Sequence, residues 1–217
     1  MTPRIKICCI SSLEEAQTAI RFGASALGLV GRMPSGPGVI ADDLISAIAR
    51  QVPPPVGTFL LTSETDAEAI IQHQKKVHTN TVQIVDALRS GTYTEIRQSL
   101  GPVKLVQVIH ITGEESIDEA RRIAPEVDAI LLDSGNPNLA VKELGGTGRT
   151  HNWQISRRIV ESVSVPVFLA GGLHSGNVRA AIEAVQPFGL DLCSGVRTNG
   201  KLDPVKLELF FTAVSKL

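Results

Sequence analysis

Eight times along this chain a short, apolar, β-branched run is followed by a longer amphipathic one, and that alternation constrains the fold more than any single motif. The apolar runs are Ile5–Ile10, Ala26–Val30, Val56–Leu60, Thr81–Val85, Leu105–Ile111, Ala129–Asp133, Val167–Ala170 and Leu190–Cys193. They are apolar almost throughout rather than at every second position, so they read as parallel strands buried on both faces. The stretches between them carry helix signals. Ser12-Leu-Glu-Glu15 fits a capping box opening a helix that ends near Phe22-Gly23. Similar helices are expected over Asp42–Arg50, Asp66–Lys76, Thr92–Leu100, Ser116–Ile123, Trp153–Val163, Asn177–Val185 and Pro204–Leu217.

Eight regular units in 217 residues, with no composition break, fit a single α/β domain over 1–217, a closed (β/α)8 barrel of the TIM type. The competitor is an open, doubly wound sheet. The first strand-to-helix turn, Cys9-Ile-Ser-Ser12, has no GxGxxG, which weakens a dinucleotide-binding sheet. Hydrophobic residues at 43% and charged residues at 20% suit an ordinary globular core. A net charge of -1 offers no overall basic field to nucleic acid or an anionic membrane. Three cysteines, two of them adjacent, cannot build a disulfide framework, and no run has signal-peptide make-up or membrane-spanning length. A soluble cytoplasmic protein is expected.

Glycines cluster late, at Gly145-Gly146-Thr147-Gly148 after strand six, Gly171-Gly172 after strand seven and Ser194-Gly195 after strand eight. Each pair alone would merely permit a tight turn. Three clusters on the rim where barrel active sites lie point to phosphate held by backbone N–H groups, at Gly146, Gly148, Gly171, Gly172, Ser194 and Gly195. Cys8 and Cys9 end strand one, and alternation sends one into the mouth and the other toward the helices. A rim thiol can serve as base or nucleophile, although buried free cysteines are usually inert, and Cys193 reads as core. Asp133 ends an apolar strand, so it must face the mouth or carry a burial cost, which favours acid–base work. Lys6 within strand one needs a carboxylate partner, and Asp133 and Asp191 are the candidates. His73 and His78 look like solvated surface, His110 faces the mouth, and His151 and His174 occupy rim loops. None has HxH or HExxH spacing, so no metal is expected.

These segments together resemble the phosphoribosylanthranilate isomerase family, the (β/α)8 enzymes of tryptophan biosynthesis. The likeness runs through Lys6-Ile-Cys8, Ala24-Ser-Ala-Leu-Gly28, Ala129-Ile-Leu-Leu-Asp-Ser134, the Gly145–Gly148 cluster with Trp153, Leu169-Ala-Gly-Gly-Leu173 with Asn177-Val178, and Asp191-Leu-Cys-Ser-Gly-Val196. It implies an Amadori rearrangement of a phosphorylated aminofuranose to an aminoketose, with Cys8 as general base and Asp133 as general acid. It also implies no cofactor, because the substrate nitrogen supplies the electron sink. The implied partner is a small phosphorylated sugar amine, and the implied assembly is a monomer or a homodimer.

The chain departs from the family pattern at defined places. Cys9 stands where the family has Gly. Gly36-Pro37-Gly38 replaces a Ser-Pro-Arg whose arginine meets the anthranilate carboxylate. Gln83-Ile-Val-Asp86 replaces Gln-Leu-His-Gly, and Arg197 replaces a glutamate. Losing a charge-assisted contact to a ligand carboxylate costs about 1.5–3 kcal/mol. Arg32, in the same loop, is the candidate substitute cation, and with Lys6 and Asp191 completes the expected substrate-binding set. Two other readings are an isomerase of a different phosphorylated sugar amine and a non-catalytic phosphate-binding barrel. Retention of both Cys8 and Asp133 argues against the second, since neither is needed to hold phosphate.

Overall fold

In the computed structural model the described residues are 2–136, 139, 142–146 and 148–215; Met1, Thr147 of the first glycine cluster, and Lys216 and Leu217 of the expected last helix lie outside them. Eight parallel strands pair in chain order and close, β8 on β1. They are β1 (Arg4–Ile7), β2 (Ala26–Val30), β3 (Gly57–Thr62), β4 (Thr81–Ile84), β5 (Lys104–His110), β6 (Ala129–Asp133), β7 (Val167–Leu169) and β8 (Gly189–Leu192). Each is followed by a helix: α1 (Leu13–Arg21), α2 (Asp42–Gln51), α3 (Ala67–Val77), α4 (Tyr93–Leu100), α5 (Glu115–Ile123), α6 (Trp153–Ser162), α7 (Val178–Val185) and α8 (Pro204–Ser215). The expected strands and helices all recur, their ends shifted by a residue or two in most cases.

Strand alternation sorts the core into two layers. Ile5, Ile7, Ile130, Leu132, Leu190 and Leu192 face outward, where the helices cover them. Ala129, Leu131, Val106, Val108, Phe59 and Phe168 face inward and fill the barrel. The same phase points Lys6 of β1, Asp133 of β6 and Asp191 of β8 toward the axis, with Cys8 and Cys193 following directly after the ends of β1 and β8.

The first strand stops earlier than expected, at Ile7, because Cys9 adopts φ 60°. Pairing continues around the break, with Cys8 N–H donating to Leu192 O at 2.7 Å and Ile10 N–H to Gly28 O at 3.1 Å. The capping box expected at α1 is only half formed. Ser12 Oγ accepts from Glu15 N–H, but the Glu15 carboxylate accepts from the Ser11 amide and from Arg197 instead of the Ser12 amide. A reciprocal box forms at α4 between Thr92 and Glu95. A 3-10 turn at Ser194–Val196 leads into a small hairpin, β9 (Arg197–Thr198) with β10 (Lys201–Leu202). The alternating pattern gives no sign of that hairpin.

Candidate active site

The C-terminal mouth of the barrel opens on a cavity whose empty space, open solvent included, is about 710 Å³. One wall is apolar, made by Val30, Met33, Leu61, Val85, Leu131 and Leu144. Gly145, Gly146, Gly148, Gly171, Gly172 and Ser194 contribute a glycine-rich stretch of the lining. The reactive side chains Cys8, Cys9, Cys193, Asp133 and Asp191 line the same space. Among the described residues no lysine or arginine lines this space.

Asp133 is buried at 7% exposure, with Oδ1 accepting from the Ser134 N–H at 2.7 Å. Burial holds its carboxyl above the usual carboxylate range, outweighing His110, the Ser134 amide and Lys6, which favour the charged form. A cavity-facing carboxyl whose charged form is disfavoured by burial is better suited to proton donation than an ordinary carboxylate. His110 stands level with Asp133 across the β5–β6 pairing, but its Nε2 is taken up by Val85 O at 2.9 Å and it does not line the cavity.

Below the mouth, Lys6 and Asp191 face each other across the β1–β8 pairing, with Nζ to Oδ1 at 2.9 Å. Lys6 is fully buried. Burial alone would lower the ammonium's pKa, and Asp191 reverses that into a net rise. Of the two candidate partners, Asp191 is therefore the one that forms the ion pair. Lys6 does not itself line the cavity; Asp191 does.

The expectation for the cysteines is corrected in two respects. Cys8 and Cys9 both line the cavity, because φ 60° at Cys9 breaks the alternation that would have turned one of them outward. Cys193 is half-buried cavity wall rather than core, its Sγ 2.7 Å from Cys9 Sγ. The hydrogen bond between the two raises the Cys9 thiol well above its ordinary range and lowers Cys193, with Arg197 also favouring charge on Cys193.

The glycine loops meet as expected around one side of the mouth. Gly146, Gly148, Gly171 and Gly172 all have positive φ and line the cavity. Gly195 sits just behind Ser194, where a Cβ would come 2.0 Å from Leu173 O, so the loops after β7 and β8 pack backbone on backbone. Asn177, not singled out as a site residue, pins this arrangement by donating from Nδ2 to Gly172 O at 2.9 Å.

Other residues fall elsewhere. Arg32 is exposed in an adjoining hollow with Ser63, Glu64 and Asp86, separated from the cavity by Met33 and Leu144. His73 is not solvated surface: it lies between Thr62 Oγ1 at 3.0 Å and Asp42 Oδ1 at 3.2 Å. His151 is half-buried with its Nε2 2.8 Å from Ser156 Oγ, and desolvation pushes its imidazole down to about 4. Gly28 was legible only as part of a motif. A Cβ there would come 2.7 Å from Cys8 Sγ and 3.1 Å from Lys6 Nζ, and a glycine inside a strand is the available sign of such a close approach.

The sequence profile of N-(5'-phosphoribosyl)anthranilate isomerase matches residues 5–213. The chain belongs to this family. N-(5'-phosphoribosyl)anthranilate isomerase 2 of Methanosarcina mazei is 36% identical over 209 residues, covering 95% of this chain and 92% of that protein. The crystal structure of the Thermotoga maritima phosphoribosylanthranilate isomerase superposes with a TM-score of 0.81 at 27% identity, covering 99% of this chain and all of that one. A second crystal structure, of an isomerase in complex with reduced 1-(o-carboxyphenylamino)-1-deoxyribulose 5-phosphate, gives a TM-score of 0.78 at 25% identity with the same coverage. As a phosphoribosylanthranilate isomerase family member the chain is an isomerase of tryptophan biosynthesis, and its reaction is an intramolecular Amadori rearrangement.

Proposed function

We propose that the chain converts N-(5'-phosphoribosyl)anthranilate to the 1-deoxyribulose phosphate with Asp133 as general acid and Cys8 as general base. The observation that carries this is the placement of a buried carboxyl and a thiol on one cavity, together with backbone loops suited to phosphate. Asp133 gives its proton to the furanose ring oxygen, and the ring opens to an iminium on the substrate nitrogen. Cys8, as thiolate, takes the C2 proton. The electron pair of that C–H bond moves into the iminium and forms an enolamine, which tautomerises to the aminoketone. The substrate nitrogen is the electron sink, so the proposed chemistry uses no cofactor.

In this reading the phosphate rests on amides around Gly146, Gly148, Gly171, Gly172, Ser194 and Gly195, and the aromatic aglycone lies along the apolar wall. Asp191 contacts the sugar, and Lys6 acts through Asp191. Arg32 meets the aglycone carboxylate only if the loop after β2 swings over Met33; unchanged turnover in Arg32→Ala removes that contact from the proposal. The setting is the cytoplasm, and the assembly is a monomer or a homodimer, which light scattering distinguishes. Among the described residues no helix is long and apolar enough to cross a membrane. The test is complementation of a tryptophan auxotroph lacking the isomerase. Wild type restores growth, while Cys8→Ala and Asp133→Ala do not; growth by both variants would sink the role assignment.

A further inference from the structure

Two of the three cysteines at the mouth have no part in the acid–base chemistry. Cys9 and Cys193 come from opposite sides of the β1–β8 seam and meet with their sulfurs 2.7 Å apart, facing the open cavity. All three cysteines are free thiols. Cys9 directly follows the base, and Cys193 directly precedes Ser194 of the phosphate wall. From this geometry we infer that Cys9 and Cys193 are a thiol–disulfide exchange site, reactive toward small-molecule disulfides, whose oxidation shuts down turnover.

The chemistry balances within the pair and its reagent. The Cys193 thiolate attacks one sulfur of the small disulfide, the reagent's S–S bond breaks, and the first small thiolate leaves and takes up a proton. Cys9 then releases its proton to water and attacks Cys193 Sγ. The second small thiol leaves, and a Cys9–Cys193 bond remains. Two protein thiols are oxidised, and one small disulfide is reduced to two thiols. The shared proton that favours charge on Cys193 makes it the attacking sulfur, supported by the Arg197 guanidinium. Reagent access is through the cavity itself.

The effect on catalysis follows from position. A covalent bond fixes the β1–α1 turn against the β8 loop, and Cys8 and Ser194 must move with it. The activity readout rests on the proposed roles of Cys8 and the phosphate loops; the thiol pairing does not.

The experiment treats purified full-length protein with excess oxidised glutathione, then reads intact mass, peptide linkage and turnover before and after dithiothreitol. The expected result is loss of two hydrogens, a linked peptide pair containing Cys9 and Cys193, and a fall in turnover of about tenfold or more, reversed by reductant. Cys9→Gly and Cys193→Ser, each compared with its own untreated rate, neither form the link nor lose activity reversibly. Glycine suits the φ 60° of position 9, so that variant folds. The inference is overturned if no Cys9–Cys193 link forms, if inactivation tracks a glutathione adduct on Cys8, or if the link forms and turnover is unchanged. Were untreated protein unable to turn over the substrate, the isomerase roles would fail while the peptide linkage still decided the thiol pair.

Discussion

Gly28→Ala tests the placement of the base without touching the base itself. The added Cβ would lie 2.7 Å from Cys8 Sγ, 3.1 Å from Cys8 Cα and 3.1 Å from Lys6 Nζ. Ordinary contact begins at 3.4 Å, so the sulfur has to retreat by much of an ångström. It has little freedom to do so, because the Cys8 backbone is hydrogen-bonded to Leu192 and Lys6 is fully buried beneath. Misplacing a reacting group by about 1 Å can cost about 10²-fold, so kcat should fall by about 10- to 100-fold. The nearest atoms to the added Cβ belong to Cys8 and Lys6 and none to the glycine loops, so KM should stay within about threefold of wild type, as should inhibition by inorganic phosphate. Overpacking of this size costs about 1–2 kcal/mol, or roughly 2–8 °C in Tm for a chain this long. The variant therefore remains folded under assay.

Steady-state kcat and KM with N-(5'-phosphoribosyl)anthranilate decide the matter, alongside the double variant Gly28→Ala/Cys8→Ala. If the methyl acts through Cys8, the double variant is no slower than Cys8→Ala alone. An unchanged kcat in Gly28→Ala, or a double variant slower by the full product of both effects, would refute the reasoning.

The complementary change is Gly195→Ala, where φ is not left-handed and the harm comes only from a Cβ 2.0 Å from Leu173 O. It should raise KM by about 10- to 100-fold through lost charge-assisted contacts of about 1.5–3 kcal/mol and weaken phosphate inhibition in step; wild-type values for both would count against the phosphate assignment. Lys6→Met leaves the Asp191 carboxylate unpaired and should cost about 3–5 kcal/mol in denaturant unfolding, much of it recovered in Lys6→Met/Asp191→Leu; no recovery would mean that the pair is not the reason. Asp133 makes a prediction in pH. Its folded-state pKa is raised, so its stability contribution is present below the ordinary carboxylate range and is lost as pH rises through the raised value. Asp133→Asn, neutral throughout, should therefore gain in Tm over wild type as pH rises to neutrality, while losing about 10²- to 10⁴-fold in kcat; a Tm difference independent of pH would contradict the raised pKa.

Much of the barrel was legible because each strand is both short and apolar on two faces, a pattern that few other architectures need. Burial cost placed Asp133: a carboxylate ending an apolar strand belongs at the mouth, and it lines the cavity in phase with inward-facing Ala129 and Leu131. Where periodicity failed, a local backbone event was responsible. Nothing in Cys8-Cys9-Ile10 announces φ 60° at Cys9, and that one dihedral brings both thiols onto the cavity. The Cys9–Cys193 contact joins residues 184 apart, as Lys6–Asp191 joins residues 185 apart. Only the second had a sequence sign, because a buried ammonium demands a carboxylate whereas a buried thiol demands nothing. Arg32 lies in an adjoining hollow instead of the cavity, and the direction of a side chain within such a loop is not encoded in any period.

Three of the departures from the family pattern turn out to be one structural unit. A non-glycine residue in the left-handed region costs about 1–2 kcal/mol, so Cys9 at φ 60° needs compensation. Arg197 supplies it, its Nη2 donating to the carbonyls of Cys8 at 3.2 Å and Cys9 at 2.5 Å while Glu15 pairs with the guanidinium. Room for the Cys9 side chain comes from Gly38, where a Cβ would approach Cys9 Cβ to 2.5 Å. A cysteine at position 9 therefore requires the loss of the side chain at 38, and the cation at 197 holds the turn that results. The Cys8 carbonyl is gripped by the same guanidinium, so a cation stands directly behind Cys8 while residues 36–38 of the loop after β2 carry none.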